Sequence, residues 1–296
     1  MIVSIIGTNG FLADTIGRFC AEQCHYSIRC YGLSEPIHHY DLFAQVNLMT
    51  QYLNYDELVE SDLIVYASGA GIQSNLGEKY DLVYALNVNI PIIISKELSK
   101  RSYKGTFVTF GSCFEIGANN QNIQFDESQL SISTLPAPND YCISKRLLTR
   151  FAMSDVPTFN YLHLILPTIY GAGESKHRLI PYTINTLKEE KVPQFTNGEQ
   201  VRQYLHINDV VKILFSLYEK KEQGIFNISG VETLSVKQIV AIIFSFFGKE
   251  LPNNIFGKEQ RIDVSMQNLQ LNGSKLFSIL PNFKYSLFSE VIKEYL

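Results

Sequence analysis

The sequence predicts an α/β protein: a doubly wound parallel sheet with a smaller C-terminal lobe interwoven with it. Two observations lead there. Through the first half, short continuous apolar runs alternate with helix-length segments, the pattern of strands buried on both faces and covered by crossover helices. After Gly171 prolines and charged clusters (Pro181, Lys188–Lys191, Pro193) interrupt that alternation, before a helix at Asp209–Tyr218 and a strand at Gly224–Ile228 restore it.

Ile2–Ile6 is the first strand and Phe11–Gln23 the first helix; Ser27–Leu33 is the second strand. Asp62–Ala67 is the third, led in by Asp56–Val59. Tyr80–Leu98 reads as helix, kinked or reset at Pro91, which has no N–H for the ladder. Thr106–Phe110 is the fourth strand, Asp140–Phe151 a helix introduced by the proline-rich loop Leu135–Asp140, and Tyr161–Ile165 a further strand. Ser235–Phe247 has the apolar spacing of an amphipathic helix. The body is expected over residues 1–165 with a return near 205–230, and the lobe over 166–204 and 231–296.

Composition sets the bounds. With 296 residues, 46% of them apolar and 18% charged, the chain has room for a sizeable core and is not disordered. The net charge is −4 and the 25 basic residues form no long run, so no bulk attraction to nucleic acid or an anionic membrane is expected. The longest apolar candidate, Ile239–Phe247, is broken by Ser245 and is far short of the roughly 18–20 residues a membrane span needs. The opening MIVSIIGTNG has no basic segment and turns at Gly7, so it is not read as a signal peptide, and a soluble cytoplasmic protein is expected. Five cysteines without CxxC pairs read as free thiols, Cys20 and Cys24 sharing one helical face. Six histidines without HxxxH or HExxH spacing, His38 and His39 pointing to opposite faces, give no metal site.

Gly7-Thr8-Asn9-Gly10-Phe11-Leu12-Ala13 joins the first strand to the first helix. Gly7 permits a tight turn, Gly10 lets backbone amides approach a pyrophosphate, and Ala13 allows the helix to pack closely on the sheet. The helix N-terminus adds unpaired N–H groups and a positive dipole end. Its context, a strand before and a helix after, makes this a Rossmann-type dinucleotide turn, with Gly7, Asn9, Gly10, Phe11 and Leu12 as cofactor-binding candidates. The second strand ends in Tyr31-Gly32-Leu33-Ser34, without the acidic residue that often holds the ribose 2′-OH of NAD. Ser34 can hydrogen-bond a 2′-phosphate, so the reading is NADP or NAD with a slight lean to NADP. Asn47 is either an adenine contact or a plain loop asparagine.

Tyr141-Cys142-Ile143-Ser144-Lys145 places a phenol and an ammonium at i and i+4 on one helical face. The spacing alone says little; its place after the fourth strand, in a chain that opens on a dinucleotide turn, gives it weight. A free tyrosine near pKa ~10 is a sluggish proton donor at neutral pH. A lysine ammonium beside it, and an oxidised nicotinamide, are expected to lower that value. Tyr141 then moves a proton to or from a substrate oxygen, Lys145 also holds the nicotinamide ribose, and Ser112 hydrogen-bonds the same substrate oxygen. The rival account is a surface tyrosine, a solvated lysine and a strand-capping serine.

With these residues in view the chain resembles the extended short-chain dehydrogenase/reductase family, in its nucleotide-sugar epimerase, dehydratase and ketoreductase branch. GTNGFLA is similar to the family's GxxGFxG/A loop, YCISK to its YxxxK, and VRQYLHINDV (Val201–Val210) to its R-x-Y-x-H-V-x-D-V signature. The resemblance implies that Ala67, Ser68 and Gly69 in VYASG line the cofactor, with Asn87 as the family's helix asparagine. It likewise implies that Pro167 and Thr168 in LPTIYG lie at the nicotinamide and substrate. Arg178, Arg202 and Arg261 become candidates to grip a nucleotide diphosphate, and a homodimer through the Tyr141 helix is implied.

The departures narrow the chemistry. The family's sugar dehydratases carry Asp-Glu after the catalytic hydroxyl residue, whereas Cys113 and Phe114 stand here as substrate-side candidates, which disfavours elimination. In the fucose synthase group an extra cysteine and histidine act as acid and base; those positions fall on Phe114 and Arg178, with Cys113 and His177 each one residue away. The chain is short for a 4-epimerase and closer to the ketoreductases that finish deoxysugar nucleotides. The leading expectation is NAD(P)H-dependent reduction of a keto group, at C4, of a nucleotide-activated deoxysugar. The alternatives are an NAD-dependent nucleotide-sugar 4-epimerase and, as a minor one, a non-catalytic dinucleotide-binding regulator, a class that usually loses the tyrosine or lysine kept here.

Overall fold

The computed structural model describes residues 1–72, 77–155, 157–252, 254–259 and 265–296. Along the chain run β1 (Ile2–Ile6), β2 (Ser27–Gly32), β3 (Leu42–Gln45), β4 (Leu63–Tyr66), β5 (Thr106–Ser112) and β6 (Asn160–Leu166). Strands β7 (Thr168–Tyr170) and β8 (Val201–His206) then leave for a second sheet before β9 (Gly224–Asn227) returns to the first. The first sheet is parallel, in the order β3-β2-β1-β4-β5-β6-β9. The order reverses between β1 and β4, which opens a crevice at their C-terminal ends, the place where doubly wound sheets bind ligands. In the second sheet β8 pairs with β7, with β10 (Glu232–Ser235) and with β11 (Asn268–Leu269), and only β10 runs antiparallel to it.

The helices are α1 (Phe11–Ala21), α2 (Tyr55–Leu58), α3 (Tyr80–Tyr84), α4 (Ile90–Lys100), α5 (Glu127–Ser131) and α6 (Asp140–Ser154). They continue with α7 (Leu179–Lys188), α8 (Ile207–Glu219), α9 (Val236–Phe246), α10 (Ser274–Ile279) and α11 (Phe288–Val291). Successive strand residues point to opposite faces, and each face of the large sheet has its own core. Val3, Ile5, Val65 and Val108 pack with Ile16 of α1 and Leu214 of α8; Ile6, Ile64 and Phe107 pack with Ile94 and Leu98 of α4 and Cys142 of α6. A third cluster joins Ile180 and Ile184 of α7 to Tyr204 and to Ile239 and Ile243 of α9. No helix among the described residues is long and apolar enough to cross a membrane.

Three local differences from the sequence reading have plain causes. The reset expected at Pro91 falls just before it: five residues of π-helix (Ala85–Asn89) separate α3 from α4, and Pro91 lies in the first turn of α4. Proline gives no N–H to the carbonyl four residues back and crowds it, and the wider turn absorbs the mismatch. The proline-interrupted stretch after Gly171 contains a regular helix, α7, because Pro181 is its third residue, where an N–H has no helical acceptor anyway. Helix α1 stops at Ala21, so Cys24 lies beyond it, exposed, and shares no helical face with Cys20; all five cysteines are free.

Candidate active site

The crevice is built by the ends of β1, β4 and β5. Gly7 has φ +101°, and a Cβ on it would strike the Ser68 backbone, so the loops after β1 and β4 touch. Gly10 is the N-cap of α1 with no side-chain capping bond, and a Cβ there would meet the Gly7 and Ala67 carbonyls at ordinary contact distances of 3.8 and 4.0 Å. The amides of Phe11, Leu12 and Ala13, in the first turn of α1, therefore have no helical or side-chain capping acceptor, as a helix N-terminus that meets an anion would. Asn9, at φ 67°, donates to the Ser34 hydroxyl at 2.6 Å, and Thr8 donates to the Ser34 carbonyl at 2.7 Å. These bonds clamp the turn to the end of β2. A Cβ on Gly32 would strike the Thr8 hydroxyl, so the turn packs closely on the end of β2. The Asn47 side-chain Oδ1 accepts from the Met49 amide at 3.0 Å and shapes its own turn.

Asn87 departs from its expected role. Its Nδ2 donates to the Ala70 carbonyl at 2.8 Å and to the Ser144 hydroxyl at 3.0 Å, and its Oδ1 accepts from the Ala70 amide at 3.1 Å. With both donors taken, it fixes the Ala67-Ser68-Gly69 loop to α6 instead of offering an amide to a cofactor.

Helix α6 starts where Asn139 accepts from the Cys142 amide at 2.9 Å, and it carries Tyr141 and Lys145 one turn apart on its buried face. The Lys145 ammonium donates to the Phe110 carbonyl at 2.9 Å and lies 5.8 Å from the Tyr141 ring centroid. Ser112, the last residue of β5, approaches Tyr141 from the sheet. Sequence reasoning thus names a tyrosine and a lysine one turn apart and a serine some thirty residues earlier, which the fold brings together. The electrostatics differ from expectation. Burial pushes the Tyr141 phenol well above its usual range, and the group that opposes this is the Ser112 hydroxyl, not Lys145. Lys145 stands over the ring and donates its hydrogen bond to the Phe110 carbonyl. Burial pushes Lys145 itself down to about 8, with the Glu115 carboxylate working against that.

On the substrate side, the Phe114 ring meets Tyr141 edge-on with centroids 5.9 Å apart. Cys113 is enclosed beside Ser112, Thr168 and Arg202, its thiol pushed up to about 11 by burial. Pro167 is buried between β6 and β7, and Thr168 pairs in register with Tyr204. Arg202 is a correction: its guanidinium donates to the backbone carbonyls of Val201, Met266 and Gln267 at 2.8, 2.7 and 3.2 Å, which joins that segment to β8. Arg178 pairs with Glu174 at 3.0 Å and stays partly exposed, while Arg261 lies outside the described residues. Arg178, Arg202, Glu174 and Cys113 all act electrostatically on Tyr204, which places them near that buried ring.

Several site residues escaped sequence reasoning. Glu174 accepts from the Tyr295 hydroxyl, which in turn accepts from the Gly171 amide at 2.8 Å, so the loop that carries Arg178 is tied down from the far end of the chain. No sequence signal announces that contact. Glu115 was visible in principle, since Ser112-x-x-Glu115 has the spacing of a capping box.

Residues 3–229 match the family model described as the NAD dependent epimerase/dehydratase family. The chain belongs to that family. Over 82% of its length it is 24% identical to the CDP-abequose synthase of Yersinia pseudotuberculosis, covering 79% of that protein. A shorter stretch, 28% of the chain, is 27% identical to the CDP-abequose synthase of Salmonella typhimurium and spans only 29% of that relative. Its fold is that of MoeE5, solved with UDP-glucuronic acid and NAD (TM-score 0.82, 18% identity, 99% of this chain and 97% of that one). The same holds for the UDP-glucuronic acid 4-epimerase of Bacillus cereus, solved with the same pair of ligands (TM-score 0.82, 15% identity, 100% and 98%). The protein is thus an NAD(P)-dependent oxidoreductase or epimerase of the extended short-chain dehydrogenase/reductase type. The uncapped α1 terminus and the glycine cradle against Ser68 fit the family's dinucleotide.

Proposed function

We propose that the protein reduces a keto group, at C4, of a nucleotide-activated deoxysugar. The observation that carries this reading is a buried phenol kept protonated beside a serine hydroxyl and a lysine ammonium: Tyr141 is poised to give a proton to an oxygen that gains charge. When bound, the nicotinamide supplies the hydride. Ser112 polarises the same carbonyl, and Lys145 orients the ribose of the dinucleotide while adding positive charge near the developing oxyanion. Gly7, Asn9, Gly10, Phe11 and Leu12 form the pyrophosphate cradle, and Ser34, at the end of β2, meets the adenosine ribose, the basis for preferring NADP to NAD. The lobe built on the second sheet takes the nucleotide, with Arg178 toward the diphosphate.

A dimer through α6 and α4 belongs to the same proposal, since Ile143, Leu147 and Met153 of α6 and Ile93 of α4 are exposed apolar residues. The test is a panel of 4-keto-6-deoxy sugars on CDP, dTDP, GDP and UDP with NADH and NADPH, followed by absorbance. The CDP sugar is the first choice, given the similarity to CDP-abequose synthase. Net consumption of reduced cofactor supports reduction. Interconversion of a 4-hydroxy sugar without net redox change supports 4-epimerisation, the second reading. Tyr141→Phe is expected to bind dinucleotide normally and to lose turnover by 10²-fold or more, the order general acid catalysis contributes. Unchanged turnover in that variant refutes the assignment.

A further inference from the structure

Behind Tyr141, Lys145 and Ser112 lies a second set of polar side chains, fully enclosed, that proton transfer does not use. Glu115, on the short 3-10 turn Cys113–Ile116, is entirely buried. Its Oε1 accepts from the Ser112 amide at 2.8 Å, and its Oε2 has no hydrogen-bond partner among the described residues. An enclosed carboxylate oxygen left so is costly unless a positive charge stands near it. From α6 it faces the Lys145 ammonium and the Arg146 guanidinium, with the Tyr141 phenol and Cys142 thiol on the same helix and the Cys113 thiol on its own turn. Arg146 is committed elsewhere, to the carbonyls of Glu115, Leu135 and Ile116.

From β6 comes His163. A Cβ on Gly111 would strike both Glu115 Oε1 and His163 Nε2, so carboxylate and imidazole meet over that glycine. The imidazole lies between the Thr109 hydroxyl at 2.8 Å and the Thr149 hydroxyl at 2.7 Å, and burial with Lys145 nearby pushes it down to about 3, so it is neutral. Lys145 holds the Phe110 carbonyl and Glu115 the Ser112 amide, two residues apart on the same strand end.

We propose that Glu115 is a positioning residue for Lys145: its enclosed carboxylate, fixed on the Ser112 amide beside His163, is the countercharge of the lysine ammonium. The inference rests on reading Lys145 as the group that serves cofactor and phenol, but the pairing is a property of the chain alone. Among the described residues Glu115 is the one group whose charge favours the ammonium against burial.

The test is Glu115→Gln. Glutamine keeps the acceptor for the Ser112 amide and caps such a turn as glutamate does, so a purely structural Glu115 predicts an unmoved lysine. Protein labelled with 13C at lysine Cε is titrated by NMR without ligands, the Lys145 signal being assigned by its loss in Lys145→Met. The expected result is a fall of the Lys145 midpoint by about one pH unit or more, together with the same acidward move in the alkaline limb of dinucleotide binding by calorimetry. An unmoved midpoint overturns the proposal. Thr149→Val keeps the carboxylate but removes a nearby hydroxyl that favours its ionised form; a smaller fall is expected there, and none counts against the proposal. If the midpoint falls but Lys145→Met binds dinucleotide and turns over like the parent, the pairing stands and the catalytic reading of Lys145 fails.

Discussion

Asn87→Ala would cut the link between the loop after β4 and the helix that bears Tyr141. The Asn87 amide makes three hydrogen bonds, two to the backbone of Ala70 and one to Ser144, and Asn87, Ala70 and Ser144 are all buried. Losing the Ser144 bond costs about 1 kcal/mol, and stranding the enclosed Ala70 N–H and C=O costs about 1 kcal/mol or more each. The sum is about 3 kcal/mol, in the upper range for a single substitution. Urea unfolding followed by far-UV circular dichroism and tyrosine fluorescence, since the chain has no tryptophan, measures the loss, with coincidence of the two probes as the two-state check. Dinucleotide binding is expected to weaken in parallel, because Ser68 packs on Gly7 and the two loops hold each other. Asn87→Asp keeps volume and acceptor but loses both donors, and is expected to lose at least as much. A loss below about 1 kcal/mol with unchanged dinucleotide affinity would refute the reasoning, since it would mean that water replaces the amide freely.

Other outcomes follow from the same geometry. The value of kcat/KM for the free enzyme is expected to fall with a one-proton slope as pH rises through about 8, where Lys145 loses its charge; a flat profile there refutes that role. Burial raises Glu115 from 4.5 to about 7, so the folded state holds its proton more tightly than the unfolded one. Its contribution to stability is fully present below pH 4.5 and is lost as pH rises through about 7, and Glu115→Gln is expected to flatten that decline in denaturation midpoints. Gly111→Ala would place a Cβ against Glu115 and His163 and is expected to cost about 2 kcal/mol of unfolding stability, the usual range for overpacking. Leu147→Glu, on the exposed face of α6, is expected to give a monomer by light scattering if the dimer forms there.

The order of strand and helix was legible because a strand buried on both faces must be apolar throughout, and Ile2–Ile6, Leu63–Tyr66 and Thr106–Phe110 are nearly so. Strand β3 was not: its residues are only partly buried at the sheet edge, so Leu42–Gln45 carries little pattern. Strand β8 is central to its sheet, yet Arg202, Gln203 and His206 in it are polar because side chains from distant segments meet them, Gln203 by exchanging hydrogen bonds with Leu271. Tyr141, Lys145 and Ser112 were found by residue type and order. Glu115, His163 and Glu174 were not, since a buried charged residue is defined by what surrounds it.

The sequence by itself determined the alternating scaffold, the glycine turn at its start and the identity of the trio proposed as reactive, all of which follow from local periodicity and residue chemistry. The tertiary structure alone decided what those groups do to one another. Burial, more than the neighbouring lysine, sets the proton affinity of Tyr141, and Arg202 and Asn87 give their hydrogen bonds to the protein itself. The physical reason is that desolvation and hydrogen-bond satisfaction depend on every atom packed around a group, and most of those atoms come from elsewhere in the chain.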